Sequence, residues 1–140
     1  IKNQTVIDYG CGSGILSIAA AKLGAKKVIA IDNDQSALAV TKENAERNKI
    51  ESSILTIMHH DEVSDTISSD LLIANILAGP LIELSDHFCS LIKNNGFICL
   101  SGILSDQKSI IENTYSVNFK FKGQQKKRDW LLLEAIKCNF

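Results

Sequence analysis

Seven residues near the start of this 140-residue chain, Asp8-Tyr9-Gly10-Cys11-Gly12-Ser13-Gly14, set a carboxylate before three glycines at alternate positions. Glycines so spaced let a loop turn tightly and let a ligand approach its backbone. The free N–H groups of a following helix would face the same space. Eighteen residues after Gly14 stands Asp32, followed by Asn33. A carboxylate there can accept hydrogen bonds from both hydroxyls of a ribose. The chemistry implied is the binding of a nucleoside-bearing cofactor.

Glycine spacing narrows which cofactor. Dinucleotide binders use G-x-G-x-x-G/A, in which the third small residue lets helix and strand pack closely. Here the third glycine comes one residue early, at Gly14, and the dinucleotide position is Ile15. That disfavours a nicotinamide oxidoreductase. The phosphate-binding pattern G-x-x-x-x-G-K-[ST] is also absent from these glycines.

Further along stands Asn75-Ile76-Leu77-Ala78-Gly79-Pro80-Leu81. The oxygen of a side-chain amide there can accept an N–H bond from a bound group. Other reactive types are less ordered. His59-His60-Asp61-Glu62 reads as a polar loop with at most an adenine contact, and His87 falls in a helical pattern as a structural residue. Cys11, Cys89, Cys99 and Cys138 form no C-x-x-C pair and no set with a nearby His, so they read as free thiols and metal ligation is not expected.

The elements that must position these residues alternate almost from end to end. Strands are expected at Thr5–Tyr9, Lys27–Asp32, Ile54–Met58, Asp70–Ile76 and Phe97–Leu100, each an apolar run. Between them lie helical patterns at Ile15–Leu23, stopped by Gly24, and at Gln35–Asn48, capped by Asp34. A third starts at Pro80 and runs to Asn94-Asn95-Gly96; a short fourth spans Ser105–Asn113. Ser116–Gln125 and Trp130–Cys138 are extended segments joined by a polar turn, hence antiparallel. The expected fold is α/β: a seven-stranded, mostly parallel sheet with a C-terminal antiparallel hairpin and helices on both faces, in one domain over residues 1–140.

The pattern D-x-G-x-G-x-G followed by an acidic second-strand end resembles the Rossmann-like class I S-adenosylmethionine-dependent methyltransferases. Amino-methyltransferases of nucleobases follow their Asn or Asp with two prolines and an aromatic, which grip a flipped base. This chain keeps Asn75 and lacks the rest, so nucleobase methylation loses ground. I-D-Y-G-C-G-S-G-I-L, N-A-E-R-N, A-N-I-L-A-G-P-L and L-S-G-I-L are similar to segments of the PrmA family. The resemblance implies S-adenosyl-L-methionine as cofactor and methylation of amines, lysine side chains and the N-terminal amine, of ribosomal protein L11 in the large subunit. It puts Gly10 and Asp32 on the cofactor, with Asp8, Cys11, Gly12 and Asn33 lining the same pocket. Asn75 would sit at the cofactor's methionine end, facing the amine. Family members carry an upstream G-T-G-T-H-P-T-T-like stretch and an amino-terminal domain, so the chain is expected to be the catalytic part of a longer enzyme.

Composition agrees with a folded protein: eight glycines, one proline and no low-complexity run exclude collagen-like and disordered classes. No apolar run is long enough to span a bilayer, and a cytoplasmic setting without a membrane partner is expected. Charge is uneven, with nine basic and fourteen acidic residues through Asn113 but six and two from Tyr115 on. The basic excess, at Lys120, Lys122 and Lys126-Lys127-Arg128, reads as a solvated hairpin edge that deters pairing between sheets. No direct nucleic-acid readout is expected, since no aromatic stacking pattern accompanies it. Two alternatives stay open: a methyltransferase for another protein or small-molecule amine, and a cofactor-binding domain inactive in isolation.

Overall fold

The apolar runs become the strands of a single sheet. In chain order the elements are β1 (Thr5–Tyr9), α1 (Ile15–Lys22), β2 (Lys27–Asp32), α2 (Gln35–Arg47), β3 (Leu55–His59), β4 (Ser69–Asn75), α3 (Ala78–Glu83), α4 (Ser85–Ser90), β5 (Ile92–Leu104), α5 (Lys108–Tyr115), β6 (Phe119–Lys127) and β7 (Trp130–Lys137). Single 3-10 turns follow β3, at His60–Glu62, and β5, at Ser105–Gln107. The computed structural model describes residues 1–139.

The sheet order is β3-β2-β1-β4-β5-β7-β6. β1 to β5 pair in parallel, and β7 lies antiparallel between β5 and β6. The chain therefore winds outward from β1 to β3, then crosses back to place β4 on the other side of β1. In such sheets ligands bind beyond the carboxyl ends of the strands at this reversal.

Alternate side chains of each strand point to opposite faces, and both faces are covered. On one, Ile7, Ile29, Ile31 and Leu72 pack with Leu81, Phe88, Ile111 and Tyr115 from α3, α4 and α5. On the other, Val6, Val28 and Ala30 meet Ala20, Leu38 and Ala45 from α1 and α2. This double burial is why the strands read as unbroken apolar runs. A buried bond ties two helices of the first face, with Tyr115 Oη donating to Leu81 O at 2.6 Å. Among the described residues no helix is long and apolar enough to cross a membrane.

Several expected boundaries shift, among them the strand expected at Phe97–Leu100, which runs from Ile92 to Leu104, and the helix expected at Ser105–Asn113, which is a 3-10 turn followed by α5. The helix expected from Pro80 begins at Ala78 and is split at Leu84 into α3 and α4. Pro80 is its third residue rather than its first, which costs no bond because the first four N–H groups of a helix lack partners inside it. Asn94-Asn95-Gly96 does not end that helix. It forms an irregularity inside β5, where pairing jumps from Ser69–Ile92 to Leu71–Phe97 and Asn95 takes a φ of 61°. The segment from Ser116 joins the turn after α5, so β6 starts only at Phe119. All four cysteines are free thiols.

Candidate cofactor and active site

The loop after β1 is held from several sides. Gly10 and Cys11 donate their N–H groups to Ile31 O at 2.8 and 2.9 Å, folding the loop over the end of β2. Gly10 has a φ of 81°, and a Cβ there would strike Ile76 Cγ2 across the reversal. Only glycine satisfies both conditions. Gly14 N–H closes the turn on Cys11 O at 2.8 Å.

Asp32, the last residue of β2, accepts the Gly12 N–H on Oδ2 at 2.9 Å and the Asp34 N–H on Oδ1 at 3.0 Å. Nothing lies within 4 Å of the position of a Gly12 Cβ, so the space beside this contact is open. Asp34 then caps α2, accepting from Ser36 N at 2.9 Å. Asn33, between the two aspartates, is exposed, and its carbonyl accepts from His59 Nε2 at 3.0 Å.

Asp8 and Cys11 occupy deeper positions. Asp8 is 2% exposed and lies beneath the loop, where Ser17 Oγ donates to its Oδ2 at 2.6 Å. Burial raises its pKa above the usual carboxylate value, the Ser17 hydrogen bonds oppose this, and the Asp32 charge adds a smaller upward push. The Cys11 thiol is buried and pushed up to about 11, chiefly by desolvation, so it is not a nucleophile at neutral pH.

Asn75 ends β4 on the far side of the loop, exposed and paired in register with Ser101 of β5. It borders an open cleft of about 420 Å³, together with Ile76, Leu77, Ser101, Gly102 and Trp130. Leu77 and Trp130 are 69% and 51% exposed, which is much for apolar side chains flanking a polar amide. Sequence reasoning missed Leu77, Ser101, Gly102 and Trp130. Trp130 reaches the cleft only because β7 lies beside β5, placing it opposite Leu104. Gly102 had one signal, a glycine at the end of a strand pattern; its φ is 80°, and a Cβ would sit 2.6 Å from Ile76 O.

The histidines are committed locally. One ring nitrogen each of His59 and His60 and an oxygen of the Asp61 carboxylate gather within 4.8 Å. Both His59 nitrogens are engaged, however, Nε2 by Asn33 O and Nδ1 by the Asp61 N–H at 3.3 Å. Glu62 accepts the His59 N–H at 2.6 Å, completing a reciprocal cap within the turn after β3, and the His59 bond to Asn33 O ties that turn to the residue following β2. The His87 ring lies edge-on to Tyr9, with centroids 5.7 Å apart, at the buried end of β1.

Comparison with known proteins adds a decisive observation. The sequence profile of the family described as Ribosomal protein L11 methyltransferase (PrmA) matches residues 1–137. The chain belongs to that family. A curated relative from Shewanella sp. (strain ANA-3), named ribosomal protein L11 methyltransferase, is 45% identical over 130 residues, covering 93% of this chain and 44% of its own. The chain thus spans about half the length of the curated relatives it matches. The crystal structure of a ribosomal protein L11 methylase from Lactobacillus delbrueckii subsp. bulgaricus superposes with a TM-score of 0.88 at 33% identity, over 99% of this chain and 72% of that one. A putative S-adenosylmethionine-dependent methyltransferase from Listeria monocytogenes shares the fold, with a TM-score of 0.77 at 16% identity over 99% and 92% of the two chains. The seven-stranded class I methyltransferase fold expected from the sequence is the fold observed.

Proposed function

We propose that this chain is the S-adenosyl-L-methionine-binding catalytic domain of a longer enzyme that methylates amines of ribosomal protein L11, on lysine side chains and the N-terminal amine. The observation that carries the reading is the arrangement across the sheet reversal within a PrmA-family chain. The Asp32-tied glycine loop lies on one side, and Asn75 stands in an apolar-walled cleft on the other. The cytoplasm, where free thiols persist, is the setting that suits it.

The residues present fit an adenosyl cofactor. Asp32 offers a carboxylate to ribose hydroxyls beside open space at Gly12, with Asn33 next to it. Gly10 to Gly12 offer backbone to a closely approaching ligand, Cys11 packs under them, and Asp8 supports the loop from below through Ser17. When bound, the cofactor supplies a methyl group made electrophilic by its sulfonium.

The chain's own work lies with the nucleophile. A lysine with a pKa of about 10.4 is neutral in roughly one molecule in a few thousand at pH 7. Leu77 and Trp130 give the cleft apolar walls, which disfavour the ammonium form and strip water from it. Asn75 accepts an N–H bond from the amine through its amide oxygen and holds the lone pair on the axis of attack. The ammonium proton leaves to solvent.

Labelled S-adenosylmethionine mixed with the full-length enzyme and purified L11 tests this. Label on lysine and N-terminal amines is the expected result. Label only on another protein or a small amine would replace the substrate, and cofactor binding with no transfer to any amine would remove the enzymatic reading.

A further inference from the structure

The glycine loop is gripped from behind by α2. Thr41 Oγ1, on a side chain with no solvent exposure, donates to Gly12 O at 2.9 Å. Asn44 Nδ2 donates to Ser13 O, also at 2.9 Å. The two residues are three apart and share one face of the helix. In a trans peptide the C=O and N–H point in opposite directions. Drawing Gly12 O onto Thr41 therefore turns the Ser13 N–H away from α2. Sterics fix the depth of the loop as the hydrogen bonds fix its tilt: a Cβ on Gly14 would lie 2.7 Å from Thr41 Cγ2. Cys11 Sγ sits 3.5 Å from the same hydroxyl.

The helix that holds the loop is also tied to the carboxylate beside it. Asp34 caps α2 and gives its own N–H to Asp32, while Asp32 takes the Gly12 N–H. Loop, carboxylate and helix thus form one closed circuit of hydrogen bonds.

We infer that Thr41 and Asn44 are positioning residues, which set the backbone of the glycine loop for the cofactor by hydrogen-bonding the Gly12 and Ser13 carbonyls. This rests on the cofactor assignment proposed above. Neither residue touches the cleft around Asn75, so their effect falls on cofactor affinity rather than on the transfer step.

Three variants of the full-length enzyme test it: Thr41→Val, which keeps shape and loses the hydroxyl; Thr41→Ser, which keeps the hydroxyl and loses the methyl; and Asn44→Ala. Titration calorimetry with S-adenosylmethionine and steady-state kinetics are read together. Thr41→Val and Asn44→Ala should each raise the cofactor Kd and KM about three- to tenfold, the loss of one hydrogen bond, with kcat within about twofold of the parent. Thr41→Ser should keep cofactor affinity within about twofold. If Thr41→Ser weakens binding as much as Thr41→Val, Thr41 acts by packing and its assignment is overturned. Parent-like affinity in Asn44→Ala, or a loss confined to kcat, overturns the inference as well. Should Thr41→Val fail to fold, Thr41→Ser and Asn44→Ala decide by the same criteria. A parent enzyme that binds no S-adenosylmethionine instead overturns the cofactor assignment itself, a result told apart from all the others.

Discussion

The Asp32 carboxylate accepts the Gly12 N–H at 2.9 Å, joining the end of β2 to the glycine loop after β1. On the proposed function Asp32 has two tasks on one carboxylate, shaping the loop, as its bond to Gly12 shows, and receiving a ribose. Asp32→Ala should weaken S-adenosylmethionine binding by about 1.5–3 kcal/mol, or about tenfold to a hundredfold. Its ligand-free melting temperature should fall by only a few degrees, because the Asp34 N–H it releases is exposed to water and the Gly12 N–H is only partly buried. Calorimetry and thermal melts on one preparation check both, and parent-like affinity would remove the ribose assignment.

Asn75 is the position at which the proposed function expects binding and chemistry to separate. It is exposed in the cleft, on the opposite side of the reversal from Asp32. Asn75→Ala should lower kcat far more than it raises the cofactor Kd, since an interaction made mainly in the transition state is lost from the rate. If the residue only supports its turn, stability drops by about 1 kcal/mol while turnover per folded molecule is unchanged. Rate, affinity and melting temperature measured on the same variant distinguish the two outcomes.

Gly10→Ala should be costly in a way that neighbouring surface changes are not. The new Cβ would need a φ of 81° and would drive into Ile76, the residue after Asn75. A loss of about 1–3 kcal/mol is expected from the backbone conformation alone. Urea melts give that number, and displaced Ile76 should also carry Asn75 out of line and reduce kcat.

Asp8 makes a prediction about pH. Its folded-state pKa lies above the ordinary 3.8, first through burial, so the folded state holds its proton more tightly than the unfolded one. The stability it contributes is complete below 3.8 and is lost as pH rises through the folded pKa. Asp8→Asn removes this dependence. Melts of parent and variant across pH should therefore show the variant gaining on the parent as pH rises from the acid side, then a constant difference once Asp8 ionises in the folded protein. A difference that does not change with pH would show that burial does not perturb this carboxyl.

How far the sequence reveals the structure depends on how local each signal is. β1 and β2 were legible to the residue, because Val6, Ile7, Val28 and Ile29 are buried on both faces of the sheet and give consecutive apolar positions, with Asp8 the one polar interruption between Val6 and Tyr9. The glycine loop and Asp32 were legible through spacing. The break at Leu84 was not: Leu81, Leu84 and Phe88 keep helical spacing across it, so periodicity carries no mark of the split. Asn94-Asn95-Gly96 has the composition of a helix stop, yet pairing of Ile92 with Ser69 draws it into a strand. Trp130 and Gly102 depend on which strands pair, and Thr41 depends on how α2 packs, facts that no window of sequence contains.

The placing of β7 between β5 and β6 has a consequence for biosynthesis. Of the seven strands it is the last to leave the ribosome, yet it is the one that pairs with β5 and carries Trp130 to the cleft. The glycine loop follows β1 and Asp32 ends β2, strands made early, which can pair while translation continues. Trp130, by contrast, has no place to dock until β6 and β7 have both emerged and closed on β5. On the proposed function, the residues assigned to the cofactor are thus all synthesised before Trp130, which completes the wall of the cleft beside Asn75.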